Sequence, residues 1–83
     1  MKVAFKLFAT LTDYLPSERK GNVLQLEVDE GTTVQALIDR YQLPAKLVHL
    51  VLVNGVFVPP GGRGGHVLKE NDELAVWPPV AGG

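Results

Sequence analysis

The stretch DELAVWPPVAGG, residues 72–83, decides the fold prediction because it joins a strand pattern to a stiff C-terminal segment that ends in two glycines. Within Glu73–Trp77 the apolar residues Leu74 and Val76 alternate with the others, which indicates a strand with one buried face. Two prolines and then two glycines follow. We therefore expect a last strand that leads directly into an extended tail.

The tail is expected to be a semi-rigid stalk that carries an unhindered carboxylate. It comprises Pro78, Pro79, Val80, Ala81, Gly82 and Gly83. Each proline fixes φ and donates no N–H, so this part of the backbone stays extended. At average glycine usage a terminal Gly-Gly pair arises in about one chain in 200. Such an end could thread a narrow channel and bring its carboxylate to a partner's active site. The alternative is an unstructured end or a cloning remnant.

Length and composition favour one small globular domain and exclude several classes of function. The chain has 83 residues, 46% hydrophobic and 20% charged, with a net charge of −1. Without a basic stripe, nucleic acid is not expected as a partner. Without cysteine, neither a disulfide framework nor a cysteine metal site is expected. No signal-peptide core or membrane-spanning run is evident, so we expect a cytoplasmic protein with no membrane association.

The first half of the chain predicts a hairpin followed by one helix. Lys2–Phe8 and Val23–Val28 alternate with period two, and a polar loop with one helical turn near Leu11–Leu15 separates them. A helix is predicted from Thr32 to just before Pro44. Its apolar face comprises Val34, Leu37, Ile38 and Tyr41. Thr32 and Gln35 have the spacing of a capping box.

The second half predicts a further hairpin and the last strand. His49–Val53 and Val56–Val58 flank Asn54-Gly55, a strong signal for a type I′ turn. Pro59–Gly65 is predicted to be a loop. The order is ββαβ(β)β, an α+β fold with one main helix on a mixed sheet of four to five strands.

Most polar clusters favour structural roles over chemistry. The Gly61–Gly65 loop lacks the ending of a phosphate-binding loop and is expected to be a mobile surface loop. His49 and His66 have no ligand partners at metal-site spacing, so no metal is expected. The carboxylates Glu70, Asp72 and Glu73 are expected to form a solvated turn. The domain is therefore predicted not to be an enzyme on its own.

Three aromatic residues are predicted on the side of the sheet away from the helix. By strand parity Phe8 and Trp77 point away from the core, and Phe57 points opposite to its two valine neighbours. An exposed patch of this kind usually marks an interface. The alternative is that these rings pack against the loop after the first strand.

These features together resemble the MoaD/ThiS family of ubiquitin-like sulfur carriers over the full chain. The resemblance is carried mainly by residues 72–83, and also by Phe8-Ala9 after a strand and Val53-Asn54 before the hairpin. It implies the β-grasp fold, with a domain of residues 1–77 and a tail of residues 78–83. The Pro-Pro step is similar to MoaD, the small subunit of molybdopterin synthase, whereas ThiS proteins usually lack it.

The resemblance also implies a mechanism and partners. An E1-like enzyme of the MoeB/ThiF type would use Mg-ATP to adenylate Gly83, and a sulfur donor would convert the adenylate to a thiocarboxylate. The tail would then enter a MoaE-like large subunit and give its sulfur to a pterin precursor. The carrier itself would bind no cofactor, and Phe8, Phe57 and Trp77 would contact the partner enzyme.

Other functions remain open at this point. The chain could carry sulfur for thiazole or another thiolation pathway, or act as a ubiquitin-like modifier joined through Gly83 to lysines. A plain interaction module is a further class. The Gly61–Gly65 loop is richer in glycine than the family pattern, so its role, the sulfur donor, the sulfur acceptor and the oligomeric state are not assigned.

Overall fold

A computed structural model describes residues 1–79 of the protein. The strands are β1 (Lys2–Leu7), β2 (Val23–Glu27), β3 (Leu50–Val53), β4 (Val56–Phe57) and β5 (Glu73–Trp77), and the helix is α1 (Val34–Arg40). Short 3₁₀ turns cover Ala9–Tyr14, Ala45–Leu47 and Pro60–Gly62. The predicted turn near Leu11–Leu15 thus begins two residues earlier.

The five strands form one mixed sheet in the order β2-β1-β5-β3-β4. The central strands β1 and β5 are parallel, and each other neighbouring pair is antiparallel. The helix and its apolar face come between the two hairpins in the chain. This arrangement is the β-grasp fold, so the predicted fold class is confirmed.

The core lies between α1 and one face of the sheet. Alternation in β1 buries Val3, Phe5 and Leu7, and alternation in β5 buries Leu74 and Val76. The helix contributes Val34, Leu37 and Ile38, spaced as predicted. These buried apolar side chains supply the main stabilisation of so small a domain.

The N-cap of the helix lies one residue later than the sequence predicted, at Thr33 instead of Thr32. The Thr33 side chain accepts a hydrogen bond from Ala36 N. Thr32 Oγ1 instead donates to Asp29 O at 2.7 Å. The capping-box prediction is therefore wrong, because the Gln35 side chain donates to Asp39 of the next turn. The helix also ends at Arg40, before Pro44.

The second hairpin has the predicted turn, and hydrogen bonds to Asp72 that were not predicted stabilise it. Asn54 and Gly55 have φ of 52° and 82°, as a type I′ turn requires. Asp72 is only 8% exposed, and its carboxylate accepts hydrogen bonds from Asn54 Nδ2 and Lys69 N, both at 2.8 Å. The prediction of a solvated turn is thus wrong for Asp72, because its charge is held by donors of two turns.

The glycine-rich segment is anchored at its centre. Gly61, Gly64 and Gly65 are exposed, but Arg63 between them is buried. Arg63 Nε donates to Val58 O at 3.2 Å, and Arg63 O accepts from Gln35 N at 3.0 Å. The expectation of a mobile loop overlooked this arginine, which ties the segment to the residue after β4 and to α1.

Candidate partner-binding surface

The face of the sheet opposite α1 carries a continuous apolar surface. Cross-strand pairing places Leu50 beside Trp77, and Leu52 between Phe57 and Ala75. Directly paired residues project to the same side of a sheet. We call the set Phe8, Leu50, Leu52, Phe57 and Trp77 the apolar face. The three aromatic residues predicted to share this side of the sheet do so.

Phe8 belongs to the apolar face although it lies just beyond β1. Its backbone remains extended, with φ of −117° and ψ of 155°, so the alternation of β1 continues through it. The Phe8 and Trp77 rings stack with centroids 4.0 Å apart and planes 7° apart. Ala9 then has φ of 52°, which turns the chain away from the sheet. Each ring is half-buried, and the other ring covers part of it.

Phe57 is the exposed end of the apolar face. Its residue is 51% exposed, on the short edge strand β4, and the neighbouring Val56 is 68% exposed on the other side of that strand. Large apolar side chains at such exposure are candidates for burial against another protein. The structure assigns Phe57 to a surface position and leaves its role as a prediction.

Sequence reasoning missed Leu50 and Leu52. They alternate with the buried Val51 and Val53, so every position of β3 is apolar. Alternation of apolar and polar residues therefore cannot show which side chains of β3 face the core. The two leucines could have been identified from the strand register that the Asn54-Gly55 turn fixes, because that register pairs Leu52 with Phe57. Both leucines are half-buried and join the aromatic rings into one surface.

A charged pair borders the apolar face. Lys6 lies beside Ala75 across the β1–β5 pair, and Lys6 Nζ is 2.9 Å from Glu73 Oε1. Both side chains are partly exposed, so the pair contributes little to stability. An apolar centre with a polar rim is the usual anatomy of a protein interface.

The tail leaves the domain at one end of the apolar face. His49 N donates to Trp77 O at 3.0 Å. Among the described residues, this is the last hydrogen bond between β5 and the segment that leads into β3. Pro78 is buried and Pro79 is exposed. The segment clear of the domain therefore starts no earlier than Pro79. The predicted site residues Val80, Ala81, Gly82 and Gly83 lie outside the described residues.

The remaining polar candidates form no reaction site among residues 1–79. No three metal-ligating side chains gather in that range, and His49 is exposed. Of the carboxylates, Glu73 is paired with Lys6, and Glu70 Oε2 accepts from Lys2 N at 2.6 Å. No helix of the described chain is both long enough and apolar enough to cross a membrane.

Comparisons with known proteins agree with this geometry. The family model described as ThiS family matches residues 6–83. No curated protein sequence matches significantly. Small archaeal modifier protein 1 (SAMP1) from Haloferax volcanii is a structural relative, with a TM-score of 0.68 and 28% identity over 100% of both chains.

Two further solved structures share the fold at lower identity. One is described as molybdopterin converting factor, subunit 1, from Pyrococcus furiosus. Its TM-score is 0.69 and its identity 23%, over 95% of this chain and 98% of that one. The other is a chain in the complex of subunits 1 and 2 of molybdopterin-converting factor from Helicobacter pylori. Its TM-score is 0.61 and its identity 19%, over 100% of both chains.

Proposed function

The chain belongs to the ThiS family, and on that basis we propose that it is a sulfur carrier that is activated at the carboxylate of Gly83 and has no catalytic activity of its own. The observation that carries the proposal is the position of the apolar face. Trp77 is both a member of that face and the last residue of β5, directly before the tail. A protein that binds the face therefore also receives the tail.

Activation requires a partner that supplies the nucleotide chemistry. A carboxylate is a poor electrophile at neutral pH, so an E1-like enzyme of the MoeB/ThiF type would join Gly83 to AMP from Mg-ATP and release pyrophosphate. Hydrosulfide or a bound sulfur donor then attacks the acyl carbon and expels AMP. With hydrosulfide the product is a thiocarboxylate, and no oxidant or reductant is needed. Because this step consumes ATP, we propose the cytoplasm as its location.

The sulfur acceptor we propose is the pterin precursor of molybdopterin. The support is the closing stretch of residues 72–83, with its Pro78-Pro79 step, which resembles the small subunit of molybdopterin synthase. The Helicobacter pylori relative was solved as a complex of two subunits. By analogy, the apolar face would bind a MoaE-like large subunit, and that subunit would hold the pterin. The carrier would bind neither cofactor nor metal itself.

A protein modifier is the second candidate, favoured by one specific observation. SAMP1, a small archaeal modifier protein, is 28% identical over the whole of both chains. In that function the activated Gly83 would be attacked by a lysine amine, and an isopeptide bond would replace the thiocarboxylate. The apolar face and the tail would serve the same activating enzyme.

Reconstitution distinguishes the two candidates. The chain is incubated with an E1-like enzyme, Mg-ATP and hydrosulfide, and then with a molybdopterin synthase large subunit and the pterin precursor. The carrier proposal predicts a dithiolene pterin and regenerated carboxylate. Isopeptide-linked protein adducts in place of this product would establish the modifier function.

A further inference from the structure

A small cavity beside α1 contains a buried cation that the proposed function does not use. Its volume is about 150 Å³, and it is partly open to solvent. Arg63 lines it and is only 6% exposed. The other lining residues are the apolar Ile38, Leu43, Ala45 and Val48 and the polar Gln35 and Asp39.

Among the described residues, the side chain of Arg63 is held by neutral groups. Its Nε donates to Val58 O at 3.2 Å, and its Nη2 donates to His49 O at 3.4 Å. Within residues 1–79 no carboxylate lies within 4.0 Å of the guanidinium, since the ion pairs of that range lie elsewhere. A buried arginine is ordinarily paired with an anion. Burial lowers the pKa of Arg63, as expected for a cation without such a partner.

The unused donors of Arg63 are accessible. A guanidinium has five N–H groups, and the two carbonyls engage only two of them. Nη1 makes no hydrogen bond among the described residues, and since no fully buried side-chain nitrogen in that range lacks a partner, Nη1 keeps some contact with solvent. Arg63 O also accepts from Gln35 N, which fixes this residue against α1. The cation is therefore preorganised, and a ligand would not have to immobilise it.

His49 connects this cavity to the start of the tail. Its carbonyl accepts from Arg63, and its N–H donates to Trp77 O at 3.0 Å. The Arg63 side of the cavity therefore lies close to the point where β5 ends and the tail begins. A protein that surrounds the tail would contact both the cavity and the apolar face.

We propose that the Arg63 cavity receives an aspartate or glutamate side chain of the protein that binds the apolar face. A planar carboxylate matches the fork of the guanidinium. Because Arg63 is only 6% exposed, water screens an ion pair there less than it would at the open surface. The exposed Asp39 repels further negative charge, which favours a single carboxylate over a phosphate dianion. The identity of the partner rests on the proposed function, whereas the affinity of the cavity for carboxylate does not.

Titration of the chain with sodium acetate, followed by ¹H–¹⁵N NMR at constant ionic strength against sodium chloride, tests the cavity. We expect saturable shifts of Arg63 Nε–H and of the Gln35 amide, with weaker binding of phosphate. Asp39→Asn keeps an acceptor for the Gln35 side chain and removes the charge, so acetate should bind roughly twofold more tightly. Arg63→Met should lose the response. Absence of saturable shifts in both the wild type and Asp39→Asn would overturn the proposal.

Binding of the partner tests the docking step separately. In a chain that keeps Phe57, Arg63→Met should weaken binding of the activating enzyme or large subunit at least tenfold. Arg63→Lys, which keeps the charge but not the fork, should bind with intermediate affinity, and it replaces Arg63→Met if that variant does not fold. Wild-type affinity in a folded Arg63→Met would refute the docking. If sulfur transfer fails while acetate still binds, the proposed function is wrong and the carboxylate site stands.

Discussion

The rings of Phe8 and Trp77 stack 4.0 Å apart and nearly parallel, and so join the end of β1 to the end of β5. These strands are the parallel centre of the sheet. The stack lies on the side away from α1, so it adds nothing to the main core. Its position places a rigid aromatic surface immediately before the tail. We infer that this surface positions a partner with respect to Pro78 and the residues that follow.

Replacing Trp77 with alanine should weaken partner binding by about 2 kcal/mol or more, because buried aromatic anchors dominate interface energies. Loss of the stack should also lower the free energy of unfolding by about 1 kcal/mol. Calorimetric titration against the E1-like enzyme or the large subunit measures the first effect. Unchanged affinity together with lost thermal stability would assign Trp77 a structural role only.

Phe57→Ala separates binding from folding more cleanly. Phe57 is half-exposed and lies on an edge strand, so its removal should change the free energy of unfolding by less than about 1 kcal/mol. Partner affinity should nevertheless fall at least tenfold if the apolar face is the interface. The matched control is Val56→Ala, an exposed apolar change on the other side of the same strand. Equal losses of affinity in both variants would contradict the proposed face.

Asp72→Ala should destabilise the domain by about 2–3 kcal/mol, since it leaves donors of Asn54 and Lys69 without their charged acceptor. Chemical denaturation measures the change. Asp13→Ala provides the control, because Asp13 is exposed in the 3₁₀ turn after β1. If Asp72→Ala destabilises the domain no more than the control does, the hydrogen bonds to Asp72 contribute nothing to the free energy of unfolding.

Thr33→Ala should cost about 1 kcal/mol of stability, because Thr33 caps α1. Thr32→Ala should cost less, since Thr32 Oγ1 donates to a turn carbonyl and leaves the helix donors satisfied. The two thermal unfolding temperatures, measured under identical conditions, decide the order. A larger loss for Thr32→Ala would restore the capping box predicted from sequence.

Removal of Gly83, or addition of one residue after it, should abolish activation and leave the fold intact. The change lies beyond β5, so the free energy of unfolding should stay within about 0.5 kcal/mol of the wild type. ATP-dependent pyrophosphate release with the E1-like enzyme measures activation, and circular dichroism checks folding. Full activity of the deletion variant would refute the assignment of Gly83.

The sequence predicted the parts of the fold that follow from local pattern. The alternation of Val3, Phe5 and Leu7, and the Asn54-Gly55 turn, each require only neighbouring residues. The position of Phe57 also followed from parity along a short strand. Together with the closing stretch of residues 72–83, these patterns were enough for the fold and for the aromatic part of the candidate surface.

What the sequence did not show depends on contacts between distant segments. Arg63 was overlooked because its partners are main-chain carbonyls of Val58 and His49, which leave no signal in a list of side chains. Asp72 was placed in solvent because its partner Asn54 is 18 positions away. The cap moved from Thr32 to Thr33, since either threonine suits an N-cap locally and tertiary packing selects one.

The intact mass of the chain after incubation with an E1-like enzyme, Mg-ATP and hydrosulfide tests the central claim most directly. The sulfur-carrier account predicts a mass increase equal to the difference between one sulfur and one oxygen atom, confined to the peptide that ends at Gly83. Alkylation should then trap the new group as a thioester of that peptide, and omission of ATP should abolish it. Two results would contradict the account. One is an unchanged mass with every E1-like enzyme that adenylates Gly83, and the other is an ATP-dependent isopeptide to lysine as the only product.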